Sequence, residues 1–496
     1  MVTLDTIVAF TKRRGFVYPT SELYGGLANS YDYGPYGAEL LKNIRDLWWT
    51  TFIRRRPDMV GIDSQIIQHP TTWVASGHVG SFSDPLVEDK KTHKRYRADH
   101  VIEEYFVKIF DEIQKNITTR KVTQSPVFFG KKKYLAPGLQ NLQEIKDQIP
   151  NMTIADMTKC IQDNKITSPE GNELTEPKPF NLLFETELGT VSGDKSTVYL
   201  RGETAQGIFA NFKQITDSCR VKLPFGVGQI GKSFRNEITQ GQFVFRTFEF
   251  EQAEIEYFFD PEKTDWQHLM AEWKDAMMSF VVGTLGIREE NLRWRQHTDK
   301  ERSHYSKDTY DLDYQFPFGW KELWGVAYRT NFDLNAHMEH SGKSLEYVDS
   351  ATGRKFIPHV IEPAVGINRL FLMTLVDAYT EEDLGEGKTR TVLKIKPSLA
   401  PVKVAVFPLQ KDEKLRTLAQ SIYQSLASEM VVEFDDAGNI GKMYRRQDEI
   451  GTPYCVTVDY ASLEDGAVTV RDRDTMKQER VEIQKLTHWI SEKIKQ

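Results

Sequence analysis

Apolar residues recur every three or four positions between Tyr36 and Ile53, where Leu40, Leu41, Ile44, Leu47, Trp48 and Phe52 fall on one side. That spacing predicts an amphipathic helix, opened by the Gly34-Pro35 breaker and followed by Arg54 to Arg56 and Pro57. An extended run, Val60–His69, comes next and ends at Pro70. From about Ala98 to Pro179 the chain is rich in Lys, Gln, Asn and Thr, with helical patches such as Val101–Ile117. This predicts an inserted helical subdomain with a polar surface. Strand patterns then take over at Thr197–Leu200, Val227–Phe234 and Phe243–Tyr257, separated by glycines and polar turns. A helix is expected at Trp266–Thr284, and further hairpins over Phe332–Pro363 with a turn at Ser350–Gly353.

The charged, glycine-containing stretch Glu381–Lys388 is the expected linker. Beyond it, Val402–Phe407, Val431–Phe434, Tyr454–Asp459 and Ala467–Arg471 read as strands, and Lys414–Met430, Ile440–Ile450 and Glu479–Lys495 as helices. Strand–helix alternation of this kind predicts an α/β unit with helices over a mostly parallel sheet. The expected division is therefore 1–97 and 181–380 as one strand-rich core, 98–180 as an insertion, 381–399 as a linker and 400–496 as a small α/β module.

Length and composition narrow the class. A chain of 496 residues is long enough for roughly three domains. With 40% hydrophobic and 27% charged residues it has the balance of a folded protein, not a disordered one. Apolar runs such as Leu370–Met373 and Val404–Phe407 fall far short of the ~18 residues of a membrane span, so no membrane is expected. Met1–Phe10 carries Asp5 and shows no basic region followed by an apolar stretch, so no secretory signal is expected either. Cys160, Cys219 and Cys455 lie far apart, which argues against a disulfide framework or a CxxC zinc site and for a reducing, cytoplasmic setting. The 64 Lys and Arg against 71 Asp and Glu give a net charge of −7. That disfavours indiscriminate coating of nucleic acid, while leaving room for a partner docked on a local basic patch.

Two motifs suggest chemistry and fail on context. Gly226-Val-Gly-Gln-Ile-Gly231-Lys232-Ser233 fits both GxxxxGK[ST] and GxGxxG, but each needs a helix starting at the last glycine. The residues after Ser233 are alternating and aromatic, a hairpin pattern, so both readings are rejected. His337 and His340 are spaced HxxH without the HExxH pattern or an evident third ligand, and read as a solvated pair near a turn.

The same hairpin carries a stronger signal. Arg235-Asn236-Glu237 ends one strand, and after a polar, glycine-containing loop Arg246, Phe250 and Glu254 recur at a spacing of four on the return strand. Residues two or four apart on a strand share a face. The result is a surface of guanidinium forks, an aromatic platform and carboxylates, suited to a ligand with phosphates, a flat ring and hydrogen-bond donors. The competing reading is a hairpin with ordinary cross-strand ion pairs.

FRNE, a loop and then RxxxFxxxE resembles the second signature motif of class II aminoacyl-tRNA synthetases. Gly366-Ile367-Asn368-Arg369 before Leu370-Phe-Leu resembles the third, and Tyr36–Ile53 with the run to Pro70 the first. Trp73-Val-Ala-Ser-Gly-His78, Arg97-Ala-Asp-His100, Glu203-Thr-Ala-Gln-Gly207, Glu322-Leu-Trp-Gly325 and Val360-Ile-Glu-Pro363 resemble homodimeric-type glycyl-tRNA synthetases. Tyr444–Pro453 resembles their anticodon-binding domain. The likeness is collinear from about Phe16 onward. It implies an α+β fold: an antiparallel sheet flanked by helices, an inserted helical subdomain and a C-terminal α/β anticodon-binding domain. It also implies a homodimer paired through the first motif.

The implied reaction joins glycine to the 3′ end of its tRNA through glycyl-adenylate, with ATP as substrate, Mg²⁺ as its companion and pyrophosphate released. By resemblance Arg235 holds the α-phosphate and Arg246 and Arg369 the β- and γ-phosphates. Phe250 stacks on adenine with Arg369 on its other face, Glu237 reads the base, and Glu322 takes part in binding Mg²⁺. The implied ATP-binding set is completed by Asn236, Phe245, Thr247, Phe248, Glu249, Leu323, Gly366, Ile367 and Asn368. Glu203, Glu254 and Glu362 match the acids that surround the substrate ammonium, and Arg97 and Arg329 match cationic substrate contacts. Glu251, Gln252, Ala253, Pro363, Ala364 and Val365 flank them, with Phe250 and Gly366 shared between the two sets. Lys442, Arg445, Arg446, Arg471 and Arg473 are candidates for the tRNA backbone.

This chain departs from the pattern at several positions. Ala364 stands where the family usually has Ser, Phe248 where Arg is usual, and Gly202 where Pro is common. Lys90–Arg95 lacks cysteines that some relatives carry, so no zinc is expected. Ala364 keeps another small amino acid open as substrate. A synthetase-like binding protein without chemistry is the remaining alternative, opposed by the retained arginines.

Overall fold

Seven strands form the central sheet: β1 (Met59–Gly61), β2 (Phe225–Phe234), β3 (Glu249–Phe259), β4 (Leu292–Gln296), β5 (Asp308–Phe316), β6 (Gly319–Thr330) and β7 (His359–Gly366). Their order is β4-β5-β6-β7-β3-β2-β1, antiparallel throughout except for β1 against β2. The structure, a computed structural model, describes residues 2–119, 127–129, 132–134, 148–149, 152–189, 196–238, 241–299, 301–303, 305–385 and 387–495.

The expected first helix is α1 (Pro35–Trp49), which buries Leu40, Leu41, Ile44 and Trp48. It runs into a wider turn, Thr50–Arg54, that adds Phe52 and Ile53 to the core. Full burial of side chains this large stabilises by about 1.5–3 kcal/mol each, which makes this helix a main anchor of the sheet. The rejected phosphate-loop motif lies inside β2, and its glycines serve packing instead. A Cβ on Gly228 would sit 2.3 Å from Ile53 Cδ1, and one on Gly231 2.1 Å from an Arg201 nitrogen. Helix α2 (Ala205–Cys219) packs Phe209 and Phe212 against Phe258 of β3. Three expectations about this core change. Arg235, Glu237 and Arg246 lie in the connection between β2 and β3, not on the strands. Its only regular structure among the described residues is a short turn at Phe243–Phe245. Phe332–Pro363 is not all hairpin: Phe332–Ser341 is a helix, α3, and a two-residue-strand hairpin and β7 come after it. His337 on α3 is therefore buried, not solvated, and its Nε2 lies 2.9 Å from Gln206 Oε1. Helix α4 (Ile367–Ala378) starts where β7 ends and is buried along nearly its whole length.

The inserted unit is not purely helical and begins before residue 98. Ser83–Glu88 pairs with both Arg95–Arg97 and Lys178–Asn181, so chain entry and exit share one small sheet. Helices Ala98–Thr119 and Ile154–Asn164 pack beside it around Ile102, Phe106, Met157 and Ile161. Beside Lys90–Arg95, the stretch that lacks cysteines, buried Asp89 joins two turns. It accepts from the Lys91 and Thr92 amides at 2.8 and 2.9 Å, Ser168 Oγ at 2.6 Å and Asn172 Nδ2 at 3.0 Å.

The expected linker is the tip of a hairpin, Tyr379–Asp383 with Thr389–Leu393. From its second strand, Arg390 reaches Asp448 Oδ2 at 2.8 Å and Glu382 Oε2 at 2.7 Å while only 3% exposed. The C-terminal module comprises β8 (Val404–Pro408), β9 (Val432–Phe434), β10 (Tyr454–Val458), β11 (Ala467–Asp472) and β12 (Gln478–Glu482), in the order β9-β8-β10-β11-β12. Only the β8 pairings with β9 and β10 are parallel, so the sheet is mixed and not mostly parallel. The last helix begins at Ile483, because a turn with Met476 at φ 58 returns the chain as β12 first.

Candidate active site

Strand register explains why side chains distant in sequence meet. Pairings across β3, β7, β6 and β5 align Glu254, Ala364, Gly325 and Asp311 in one row, and Glu362, Ala327 and Thr309 in the next. Small residues in the middle of both rows leave a cavity of ≈ 290 Å³ above the sheet. Its opposite ends carry opposite charge.

At the cationic end stand Arg235, Arg246 and Arg369. The Arg235 guanidinium lies between the rings of Phe82 (5.3 Å) and Phe250 (5.2 Å), and its Nε donates to the Gly202 carbonyl at 3.0 Å. Gly202, one of the departures, thus helps aim this arginine. Arg246 is loosely paired, 3.8 Å from Glu237 Oε2. Arg369 lies 4.4 Å from the Phe245 ring centroid and contacts Glu322 at 3.1 Å. Here the aromatic partner of Arg369 is Phe245, while Phe250 faces Arg235.

At the acidic end, Glu203, Glu254 and Glu362 line the cavity, each 8% exposed or less. Glu203 sits 3.3 Å from His78 Nε2 and accepts from Gln206 Nε2 at 2.8 Å. Burial alone would raise its pKa, but His78, Arg329 and Gln206 hold the carboxyl well below the usual range. Gln206 also donates to Asp333 at 3.2 Å, Asp333 holds Arg329 at 2.7 and 2.8 Å, and Arg329 donates to Glu362 at 2.7 Å. A continuous hydrogen-bonded chain therefore fixes Glu203 relative to Glu362. Burial first, then Glu362 and Glu203, push Glu254 well above the usual range, and Thr204 Oγ1 donates to it.

Several expected residues do not line the cavity, for reasons visible in strand alternation. Glu251 and Ala253 point to the other face of β3, where Glu251 pairs with Arg45 at 2.6 Å. Leu323 and Ile367 are core residues at 0% exposure. Phe248 turns edge-on to Phe184, and Glu249 pairs with Lys232 at 2.8 Å. Asn236 and Pro363 also stand outside the lining, whereas Thr247, Gln252, Ala364, Val365, Gly366 and Asn368 belong to it. Arg97 is tied to Asp84 and Asp99, both at 2.7 Å, and Arg329 lies behind Glu362, so neither guanidinium lines the cavity.

Sequence reasoning missed His297, Ser303, Tyr305 and Asp311, all on the lining. His297 is 2.7 Å from Asp311, and the Tyr305 ring lies 3.9 Å from the Arg329 guanidinium. The one available signal was the density of Asp, His, Ser and Tyr between His297 and Tyr314.

Two candidates in the C-terminal module must be withdrawn. Arg471 and Arg473 are 6% and 2% exposed, held by Asp448 at 2.8 Å and by the Gly451 carbonyl at 2.7 Å, so neither can reach a tRNA backbone. Lys442 and Arg445 are exposed, and Arg446 is bound to Asp435.

Comparison with known proteins agrees with this architecture. Residues 84–182 match the glycyl-tRNA synthetase insertion domain 1 family, and 403–493 match an anticodon-binding domain family. The chain is 49% identical to the glycine–tRNA ligase of Caldanaerobacter subterraneus subsp. tengcongensis over 497 residues, covering 100% of this chain and 99% of that protein. It is 47% identical to the glycine–tRNA ligase of Alkaliphilus oremlandii over 496 residues, covering 99% of each. The α+β fold and this identity along the whole chain lead to one conclusion: the chain belongs to the glycine–tRNA ligases, enzymes of the class II aminoacyl-tRNA synthetase group.

Proposed function

We propose that this protein forms glycyl-adenylate from glycine and ATP and then transfers glycine to the terminal adenosine of its tRNA. In the first step a glycine carboxylate oxygen bonds to the α-phosphorus and the bond to pyrophosphate breaks. In the second, the 3′-hydroxyl oxygen bonds to the glycyl carbonyl carbon and AMP leaves. No side chain needs to become covalently attached, so positioning and charge stabilisation carry the chemistry. Arg235 stabilises charge on the α-phosphate, Arg246 and Arg369 bind the outer phosphates, and the aromatic rings at that end receive the base. Glu203, Glu254 and Glu362 receive the ammonium.

The observation that carries this reading is the single cavity with three guanidinium groups at one end and three buried carboxylates at the other. Mg²⁺ fits the donor chemistry between them. Asp311 and Glu322 offer carboxylate oxygens, and burial with Glu322 nearby pushes the Asp311 pKa up despite His297 and Arg295, a penalty a cation relieves. Those two residues would hold the ion, which when bound neutralises phosphate charge. We place the enzyme in the cytoplasm as a homodimer joined through α1; among the described residues, no helix is long and apolar enough to cross a membrane.

Glycine-dependent ATP–pyrophosphate exchange, measured against all amino acids, tests the reading. Exchange with glycine is expected. Exchange only with another amino acid, the outcome that Ala364 opposite Glu254 would favour, overturns the choice of substrate. No exchange at all overturns the chemistry.

A further inference from the structure

The amine end of the cavity is walled on one side by a residue from outside the sheet. Tyr305 lies in the connection between β4 and β5, and it lines the cavity. Its ring covers the Arg329 guanidinium at 3.9 Å, and the Phe209 ring of α2 lies 5.5 Å from the same guanidinium. Arg329 cannot give way behind the ring. It is 2% exposed and donates to Asp333 at 2.7 and 2.8 Å and to Glu362 at 2.7 Å. Phe332 of α3 stands 6.3 Å from the Tyr305 ring. Burial raises the Tyr305 phenol above its ordinary range; Arg329 opposes the rise, and Glu362 and Glu203 add to it, which places the side chain beside both acids. The floor at this end is small, made by Gly325, Ala327 and Ala364. Its bulk comes from Tyr305.

Building on the glycine-binding reading, we propose that Tyr305 is a specificity-determining residue whose ring closes the amine end against any substrate that carries a side chain. An ammonium held by Glu203, Glu254 and Glu362 has its α-carbon one bond away, between the small residues of the floor and the Tyr305 ring. Hydrogens fit there, and a methyl group meets the ring. A pocket gains little affinity from one methyl more or less, but a wall that cannot retreat rejects the larger group by clash. No smaller amino acid exists, so one wall suffices without a second site to hydrolyse errors. The ring does the excluding, and the hydroxyl is not needed for it.

ATP–pyrophosphate exchange driven in turn by glycine and by L-alanine tests this. Tyr305→Ala opens the wall and should lower the glycine-over-alanine ratio of kcat/KM at least about tenfold. Tyr305→Leu, which keeps an apolar cover on Arg329, should lower it by less, and Tyr305→Phe should keep the native ratio. A residue that only steadied Arg329 would weaken both amino acids alike and leave the ratio where it was. An unchanged ratio in Tyr305→Ala therefore overturns the proposal; if that variant does not fold, an unchanged ratio in Tyr305→Leu overturns it. A loss of selectivity in Tyr305→Phe as large as in Tyr305→Ala would move the role from the ring to the hydroxyl and also overturn it. Absence of glycine-dependent exchange in the native protein would overturn the functional reading beneath the proposal. Native exchange with a ratio that no variant moves would refute the role of Tyr305 alone.

Discussion

The two ends of the cavity are built on opposite principles. At the phosphate end Arg235 and Arg246 sit in a connection between strands, and the side chains of Arg246 and Arg369 keep 34% and 22% of their exposure. Their guanidinium donors are largely unspent. At the amine end the charged groups stand on strands or beside helices, and most of them are already tied to one another, Arg329 to Asp333 and Glu362 and Glu203 to Gln206. A triphosphate brings enough charge to organise loosely held cations around itself. A lone ammonium cannot reorganise four or five buried groups, so the protein arranges them beforehand.

Removing one charge from each end should break that symmetry most clearly. Arg329→Met leaves Asp333 and Glu362 buried and unpaired, which should cost about 3–5 kcal/mol of stability in urea denaturation. Arg246→Met removes a partly exposed group whose only ion pair among the described residues is loose, and should cost less than about 1 kcal/mol. Similar losses at the two sites would show that the amine end is no more preorganised than the other.

Activity should respond in the reverse sense. Arg235→Ala should lower glycine-dependent pyrophosphate exchange by at least about a hundredfold, because a donor aimed at developing charge is lost. Its unfolding midpoint should stay close to native, since the removed contacts are two ring faces and one carbonyl. Normal turnover in this variant would remove Arg235 from the chemistry.

This contrast also explains what the sequence could show. The nucleotide end was legible because its residues cluster at short spacing, Arg235 to Phe250, in one strand–connection–strand unit, although Arg235 and Arg246 lie in the connection, where strand periodicity does not apply. Naming whole runs nevertheless drew in Leu323 at the nucleotide end and Glu251 and Ala253 at the substrate end, which strand alternation sends to the opposite face. At the amine end Glu203, Glu254 and Glu362 were found through resemblance, but the chain His78–Glu203–Gln206–Asp333–Arg329 was not. Its members come from three separate segments, at 78, 203–206 and 329–333, and meet only through the sheet register and the packing of α2 and α3. His337 was misplaced because ten residues of helix were read as hairpin, and a helix turns that histidine inward to Gln206. Arg471 and Arg473 alternate with aspartates and were candidates for the tRNA backbone; that reading missed Asp448, one helix away, which buries Arg471.

A pH series can sharpen the picture at the buried acids. Glu256 has its pKa raised by burial first and Glu362 next, against 4.5 in the unfolded chain. Above pH 4.5 the unfolded chain has released this proton while the native state still holds it, so native stability falls as pH rises until the raised pKa is reached. Each pH unit in that window should cost about 1.4 kcal/mol, and Glu256→Gln, which does not titrate, should escape it. The stability of the variant relative to native should therefore climb with pH above 4.5. Glu203, held low by His78 and Gln206, should behave oppositely and weaken the fold as pH falls below 4.5. A flat difference for Glu256→Gln would mean that its proton is lost at the ordinary pKa.

The smallest effect is expected far from the cavity, on the helix Ile440–Ile450. One face of it buries Asp448 against Arg390 and Arg471, and the other exposes Lys442 and Arg445. Removing an exposed cation that meets a phosphate weakens RNA binding uniformly and lowers its salt dependence. Lys442→Ala with Arg445→Ala should therefore raise the tRNA KM several-fold and reduce the log–log salt slope by up to about two. Exchange without tRNA should stay at the native rate. Arg471→Ala should instead act through folding, lowering the unfolding midpoint without a specific change in the salt slope, because its guanidinium is buried against Asp448. If the exposed pair leaves the salt slope intact, the tRNA runs along another face of the module, and this helix serves only to join it to the hairpin behind α4.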